Sequence, residues 1–285
     1  MRARRVMLPD DRAAVMGVLA RAEERDGFPA LSEEAGVGLA AGSGDAGWVA
    51  GPAGRIGGFA HRRLHRGSVV VEMVVAGAGA GRAARRLIEA IREEASGSTV
   101  RVWASDPVTS AALRGAGARV GRRLVRLQRP LPADQAEPPE EVRITPFRFP
   151  VDEGAYLVVA NDAFAGHPES SGWTRATFAE RAARPWFDRD GLFLAWHRGT
   201  PVGASWTKVH PGGVGEIYSI AVRPSAAGRG LGRALVLTGF EYLAERRGST
   251  IGMLWADRAN RAAVRLYERL GMQEVRERTE MLLET

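Results

Sequence analysis

Gly228, Gly230 and Gly232 stand at every second position, with Arg229 and Arg233 between and after them, directly ahead of an apolar helical stretch. A glycine-rich turn that opens a helix lets backbone N–H groups approach a phosphate, and the helix dipole adds positive potential there. The chemistry offered is the grip of an anionic, phosphate-bearing ligand. A lone pattern of this kind is most often only a turn, so the surrounding elements must carry the argument.

Those elements are clearly marked. Glu216 to Val222 alternates as a strand of a packed sheet, and Pro224, which has no N–H to give, stops it. After the glycines, Leu231, Leu235, Thr238 and Tyr242 form one helical stripe and Val236, Phe240 and Leu243 another, so this helix is expected to be largely buried. Arg246, Arg247 and Gly248 end it, as the C-terminal dipole and a left-handed cap require. A second strand and a second helix follow, the latter capped by Asn260 and closed by Gly271, with Ala263, Leu266, Tyr267 and Leu270 at helical spacing. Upstream, GLFLAWHRGTPVGASWTKVH reads as a hairpin turning at Arg198–Gly199 and running to Lys208, and residues 142–188 as two helices joined around Gly166–His167–Pro168–Glu169.

The first half has the same order. Residues 1–25 read as a helix, 47–63 as a hairpin, Val69–Val75 as a strand, Arg82–Ala95 as a helix, Thr99–Ala104 as a strand, Asp106–Arg114 as a short helix and Leu124–Arg129 as a strand. Letters repeat as well: Gly81–Arg82–Ala83 answers Gly232–Arg233–Ala234, Trp103–Ala104 answers Trp255–Ala256, and Gly117 answers Gly271. The fold class expected is α/β (α+β), two tandem domains of mixed sheet flanked by helices. Residues 1–130 form the first, the Pro- and Glu-rich 131–141 the linker, and 142–285 the second. The first copy has only AGAGA before its Gly–Arg–Ala and Leu113 in place of Tyr267, so it is expected to shape a cleft without catalysing.

Composition narrows the class. The 285 residues, 45% hydrophobic and 26% charged, describe a globular protein with ample core, and no apolar run has the length of a membrane span. The basic N-terminus lacks the apolar core of a secretory signal, and there is no cysteine for a disulfide, thiolate nucleophile or thiolate metal site. The expectation is a cytoplasmic, monomeric enzyme. The formal charge of +7 comes from arginines dispersed along amphipathic segments, which argues against a nucleic-acid arm. Five scattered histidines, His167 among them in a turn, indicate no metal site.

The order strand, RPSAAGRGLG, helix, strand, Asn260–x–x–Ala–x–x–Leu–Tyr–x–x–Leu–Gly resembles the acetyl-CoA core of GNAT acetyltransferases. NDAFAGHPE at 161–169, PWFD at 185–188, WTKVH at 206–210 followed by GEIY, and RDGFPALSEE at 25–34 resemble the mycothiol synthase family of tandem GNAT enzymes. That family acetylates the cysteinyl amine of a cysteinyl-glucosaminyl-inositol, with acetyl-CoA as co-substrate. The resemblance implies acetyl-CoA contacts at Ile220, Ala221 and Val222, at Ala227, Gly228, Arg229, Gly230, Leu231, Gly232 and Arg233, and at Asn260, Arg261, Ala262, Ala263, Val264 and Arg265. It implies substrate contacts at Glu33, Glu169, Lys208, Glu216 and Trp255. Trp255 is a departure, since the family usually has a tyrosine there, and an indole donates one hydrogen bond but accepts none.

Acetyl transfer to an amine also needs proton handling. A protonated amine has no lone pair, so attack on a thioester needs a base, and Glu216 beside the cofactor strand is the candidate. Tyr267, of a type titrating at about 10, can protonate a leaving thiolate whose thiol titrates near about 8.5. The family implies an N–H for the thioester oxygen from a strand distorted near Ala221 and Val222. The competing classes are a GNAT enzyme for another amine and a non-catalytic protein that binds CoA or nucleic acid.

Overall fold

The computed structural model describes all residues except 1, 2, 4–8, 34, 37, 38, 40–46, 53, 66, 96 and 168–171. Its contacts divide into two compact units, the first of residues 1–124, 257–259 and 277–285, the second of 125–256 and 260–276. No helix among the described residues is long and apolar enough to cross a membrane.

The first unit runs α1 (Pro9–Asp26), β1 (Gly47–Ala50), β2 (Gly58–His65), β3 (Ser68–Val75), α2 (Ala80–Glu94), β4 (Thr99–Ala104) and α3 (Pro107–Gly115). Of the helix expected over residues 1–25, the part from Pro9 is helical and runs to Asp26, while residues 1, 2 and 4–8 lie outside the described residues. β1, β2 and β3 are antiparallel and β3 pairs parallel with β4. Side chains on β3 alternate between two cores: Val71, Met73 and Val75 meet Leu87 and Ile91 of α2, while Val74 meets Val15 and Leu19 of α1. A strand from far along the chain completes this unit. Within β11 (Gln273–Glu284), Thr279–Glu284 pair antiparallel with β4, and Met281 and Leu283 are fully buried in the α2 core.

The second unit begins at Val125 inside β5 (Arg119–Pro130), so the boundary expected at residue 130 falls earlier. Leu131 donates its N–H to Thr250 at 2.8 Å, and Leu131, Ala133 and Ala136 pack on the core, so contacts assign the Pro- and Glu-rich stretch to this unit. β6 (Val142–Pro146) then pairs with β7 (Leu192–His197), a strand where only helices were expected. Between them lie α4 (Glu153–Ala163) and α5 (Arg175–Ala182). β8 (Thr200–Val209), β9 (Gly215–Val222), α6 (Leu231–Glu245), β10 (Ile251–Asp257) and α7 (Arg261–Arg269) follow. The strand order is β5-β10-β9-β8-β7-β6.

Two helical layers cover this sheet. Val236, Leu237, Phe240 and Leu243 of α6 pack with Leu127, Ile217 and Leu254, each such side chain contributing about 1.5–3 kcal/mol by leaving water. Tyr156, Val159 and Phe178 cover the other face with Trp206, and the Tyr156 and Trp206 rings meet edge-on at 5.7 Å. A β-bulge decides which residues of β9 face which layer. Trp206 pairs with Ser219 but Thr207 with Ile217, so Tyr218 is the extra residue and the alternation slips by one. Ile217 therefore lies in the α6 core and Ala221, four residues on, in the α4 core.

Candidate active site of the second unit

The glycine turn is built as an anion cradle. After β9, a single 3-10 turn at Pro224–Ala226 leads to Gly228 at φ +76° and Gly230 at φ +82°, and Gly230 is the left-handed N-cap of α6. Only glycine holds such φ values without strain. A Cβ at either position meets nothing of the protein within 4 Å, so the loop faces open space. The first N–H groups of α6, at Leu231, Gly232 and Arg233, have no intrahelical partner. Arg229 and Arg233 are exposed beside them, a donor set that fits a pyrophosphate. The turn is held at its start, where Arg223 pairs with Asp162 of α4 at 2.6 Å and donates to Pro201 O. Gly232 has a packing role too, since a Cβ there would stand 3.3 Å from Leu266 of α7.

The strands beside the loop part. β9 pairs with β10 only at Gly215↔Gly252 and Glu216↔Met253, yet β9 runs on to Val222 and β10 to Asp257. Among the described residues no strand pairs with the edge of Ile217–Val222 that faces away from β8. Arg223 N–H bonds Val202 O at 2.9 Å, so Ala221, two residues back, shares that phase and aims its N–H at β8. Ile220 and Val222 aim theirs at the open edge. The N–H expected from Ala221 or Val222 is thus offered by Val222 and Ile220, and the strand's distortion sits earlier, at Tyr218.

Glu216 occupies the last paired position before that gap. It is 8% exposed, stands directly across from Lys208, and its Oε2 lies 2.6 Å from Nε2 of His210. His210 had no role in the sequence argument. The hairpin register signals it, because His210, one residue past β8, continues the face that carries Lys208, and a short Pro211–Gly212–Gly213 turn returns the chain to Glu216. Lys208 Nζ lies over the rings of Trp186 at 4.6 Å and Tyr218 at 5.5 Å. Arg181 donates to the Tyr218 hydroxyl. Lys208, Trp186, Phe187, Asp188 and Arg247 line a cavity of about 330 Å³.

The remaining candidates fall as follows. Tyr267 is 5% exposed within the α6 core, and burial pushes its phenol up to about 12, so it stays protonated at neutral pH. Asn260 caps α7 by accepting from Ala263 N–H at 3.1 Å, which uses its carbonyl and leaves its NH₂ for other work. Arg261, Ala262 and Arg265 are exposed on α7, Ala263 and Val264 half-buried. Trp255 is half-buried on β10, beyond the two positions at which that strand pairs with β9. Glu33 belongs to the first unit and Glu169 lies outside the described residues. Among the described residues no group of His, Asp and Glu side chains can hold a metal ion.

The corresponding place in the first unit is closed. β3 and β4 stay paired over four positions, from Val70↔Arg101 to Met73↔Ala104, the last residue of β4. Glu72 in that ladder is saturated internally, accepting from Ser32 N–H at 2.7 Å, from the Ser32 hydroxyl, and from Arg278 at 3.2 Å. The helix N-cap there, Gly79, has φ −97° rather than a left-handed value.

Comparison with known proteins agrees with this geometry. Residues 155–272 match the acetyltransferase (GNAT) family. A mycothiol acetyltransferase of Thermomonospora curvata is 42% identical over 90% of this chain and 88% of its own. One from Thermobispora bispora is 40% identical over 92% of both chains. The chain belongs to the mycothiol acetyltransferase family. Two solved structures share the fold of this family member: a GCN5-related N-acetyltransferase from Sphaerobacter thermophilus (TM-score 0.74, 24% identity, 98% of this chain and 94% of that one), and a tandem GNAT protein from the clavulanic acid biosynthesis pathway (TM-score 0.66, 17% identity, 97% and 96%).

Proposed function

We propose that the second unit transfers the acetyl group of acetyl-CoA to the cysteinyl amine of a cysteinyl-glucosaminyl-inositol, completing mycothiol. One observation carries the catalytic assignment: a buried carboxylate, Glu216, sits where β9 and β10 part, on the strand that leads into the glycine turn. Acetyl-CoA brings a thioester that an amine lone pair can attack. The turn from Gly228 to Arg233 grips its pyrophosphate, and the N–H groups of Ile220 and Val222 receive the rest of the cofactor along the open edge. Glu216 takes a proton from the acceptor ammonium, and the freed lone pair attacks the thioester carbon. Tyr267, a phenol that is protonated at neutral pH, supplies a proton to the departing thiolate, and the second proton that the nitrogen sheds as the amide forms restores the phenol. Lys208 and the aromatic pair Trp186 and Tyr218 form the polar and stacking wall for the acceptor's sugar.

Trp255 favours a second acceptor class, since it cannot accept a hydrogen bond from a sugar hydroxyl as the family's tyrosine can. Thiol release from acetyl-CoA against a panel of amines separates the two. The cysteinyl pseudodisaccharide should be turned over well ahead of polyamines, amino sugars and peptide N-termini. Replacing Glu216 by Gln should keep acetyl-CoA binding and lower turnover by about 10²–10⁴-fold, the usual loss on removing a general base. A Glu216→Gln enzyme with wild-type turnover would take the base away from this residue.

A further inference from the structure

We infer that His210 is a positioning residue for Glu216, forming with it a buried histidine–carboxylate pair that aims the base. The inference rests on the proposal that Glu216 is the base. It starts from the hairpin. His210 donates its backbone N–H to Val214 O at 2.9 Å and accepts from Gly213 N–H at 3.0 Å. Gly212 and Gly213 hold φ of +87° and +82°, so the turn has one tight path back into β9. With Val209 opposite Gly215 and Lys208 opposite Glu216, His210 and Glu216 become diagonal neighbours on one face of the ladder.

The pairing of side chains follows from that register. Nε2 of His210 lies 2.6 Å from Oε2 of Glu216, and both side chains are 10% exposed. A short contact to a carboxylate, shielded from water, is among the stronger hydrogen bonds a protein makes. It fixes the rotamer of Glu216 and occupies Oε2, leaving Oε1 as the oxygen that meets the acceptor. In the step itself one N–H bond of the ammonium breaks and one O–H bond forms at Oε1. His210 gains and loses no bond.

Other charges also face this carboxylate and are part of any pH response. Lys208 stands across the ladder. Arg126, whose guanidinium burial pushes down, also feels repulsion from Arg276 and attraction from Glu216. His210 meets the carboxylate itself, with Nε2 2.6 Å from Oε2. Removing the imidazole therefore removes the aim of Oε1 while leaving the local positive field in place.

The test is kinetic and uses the full chain with acetyl-CoA and the cysteinyl pseudodisaccharide. His210→Met fills the space without a donor, whereas the amide nitrogen of His210→Gln restores one near the Nε2 position. His210→Met should lower kcat by about 10–100-fold, the worth of one hydrogen bond to a charged group. Calorimetric affinity for acetyl-CoA and Tm should stay near wild type, and His210→Gln should recover most of the kcat. In a Glu216→Gln background, His210→Met should cost little more, since both changes remove one function. Equal losses in both backgrounds, or a His210→Met enzyme with wild-type kcat while Glu216→Gln is impaired, overturn the inference. If Glu216→Gln itself turns over like wild type, it is the base assignment that has failed, and the positioning role falls with it.

Discussion

Replacing Gly230 by Val separates what the glycine turn does for the fold from what it does for the ligand. Gly230 sits at φ +82°, and its added Cβ would touch no protein atom within 4 Å. The folded state therefore suffers backbone strain alone, about 1–2 kcal/mol for a left-handed residue with a side chain. In a chain of this size that lowers Tm by about 2–8 °C. The ligand suffers more, because the new side chain stands in the space the loop faces and holds the pyrophosphate off the N–H groups. Loss of one charge-assisted hydrogen bond, about 1.5–3 kcal/mol, weakens acetyl-CoA binding by about 10–100-fold. Gly199→Val is the matched control, since Gly199 has φ +79° with nothing within 4 Å, in the β7–β8 turn. It should show the same fall in Tm with unaltered affinity. Calorimetry and thermal unfolding on the two variants decide the matter. If Gly230→Val binds acetyl-CoA within about twofold of wild type, the phosphate cradle lies elsewhere.

Arg278→Met should destabilise the first unit by about 3–5 kcal/mol in urea, because it takes the ion-pair partner from a buried carboxylate and leaves Glu72 with the Ser32 hydrogen bonds and the weaker field of Arg63. Burial alone would push Glu72 up, but Arg278 and the Ser32 bonds outweigh it and hold the carboxyl below its usual range. That contribution is present above the unfolded carboxyl range and lost as pH falls through the folded value. The stability gap between wild type and Arg278→Met should accordingly shrink in acid. Tyr267 has the opposite sign: its unfolded phenol ionises near about 10 and its folded one at about 12. Wild type should lose stability across that alkaline interval, a component that denaturation of Tyr267→Phe should lack. The same variant should slow turnover without weakening acetyl-CoA binding.

The parts of the site legible in the sequence are those written in local punctuation. Pro224 ending a strand, glycines at alternate positions and Asn260 three residues before Ala263 each act within one turn of chain, so their structure follows from their neighbours. What escaped depends on pairing between distant residues or on a slip in phase. β6 is a five-residue, partly buried edge strand whose only sheet neighbour is β7, some 50 positions on, so its own pattern is too short to assign it. The bulge at Tyr218 is a single residue extra to the β8 register, yet it shifts the facing of the rest of β9 and moves the N–H groups on the open edge to Ile220 and Val222. His210 depends on a second hairpin, the Pro211–Gly212–Gly213 return from β8 to β9, which lies beyond the hairpin read from the sequence as ending at Lys208.

The strand Thr279–Glu284 imposes an order of events on the first unit. Thr99 of β4 finds its partner Glu284 only 185 positions later. At a synthesis rate of about 5–20 residues per second, β4 waits about 10–40 s with an open edge. Throughout that interval the places of Met281 and Leu283 in the α2 core stand empty, while the second unit's strands and helices emerge and can close. The unit begun first is thus finished last. An unpaired edge is a template for another chain, so nascent protein is most exposed to misassembly here. A polypeptide that ends just short of residue 277 carries that exposure permanently, however well its second unit has folded.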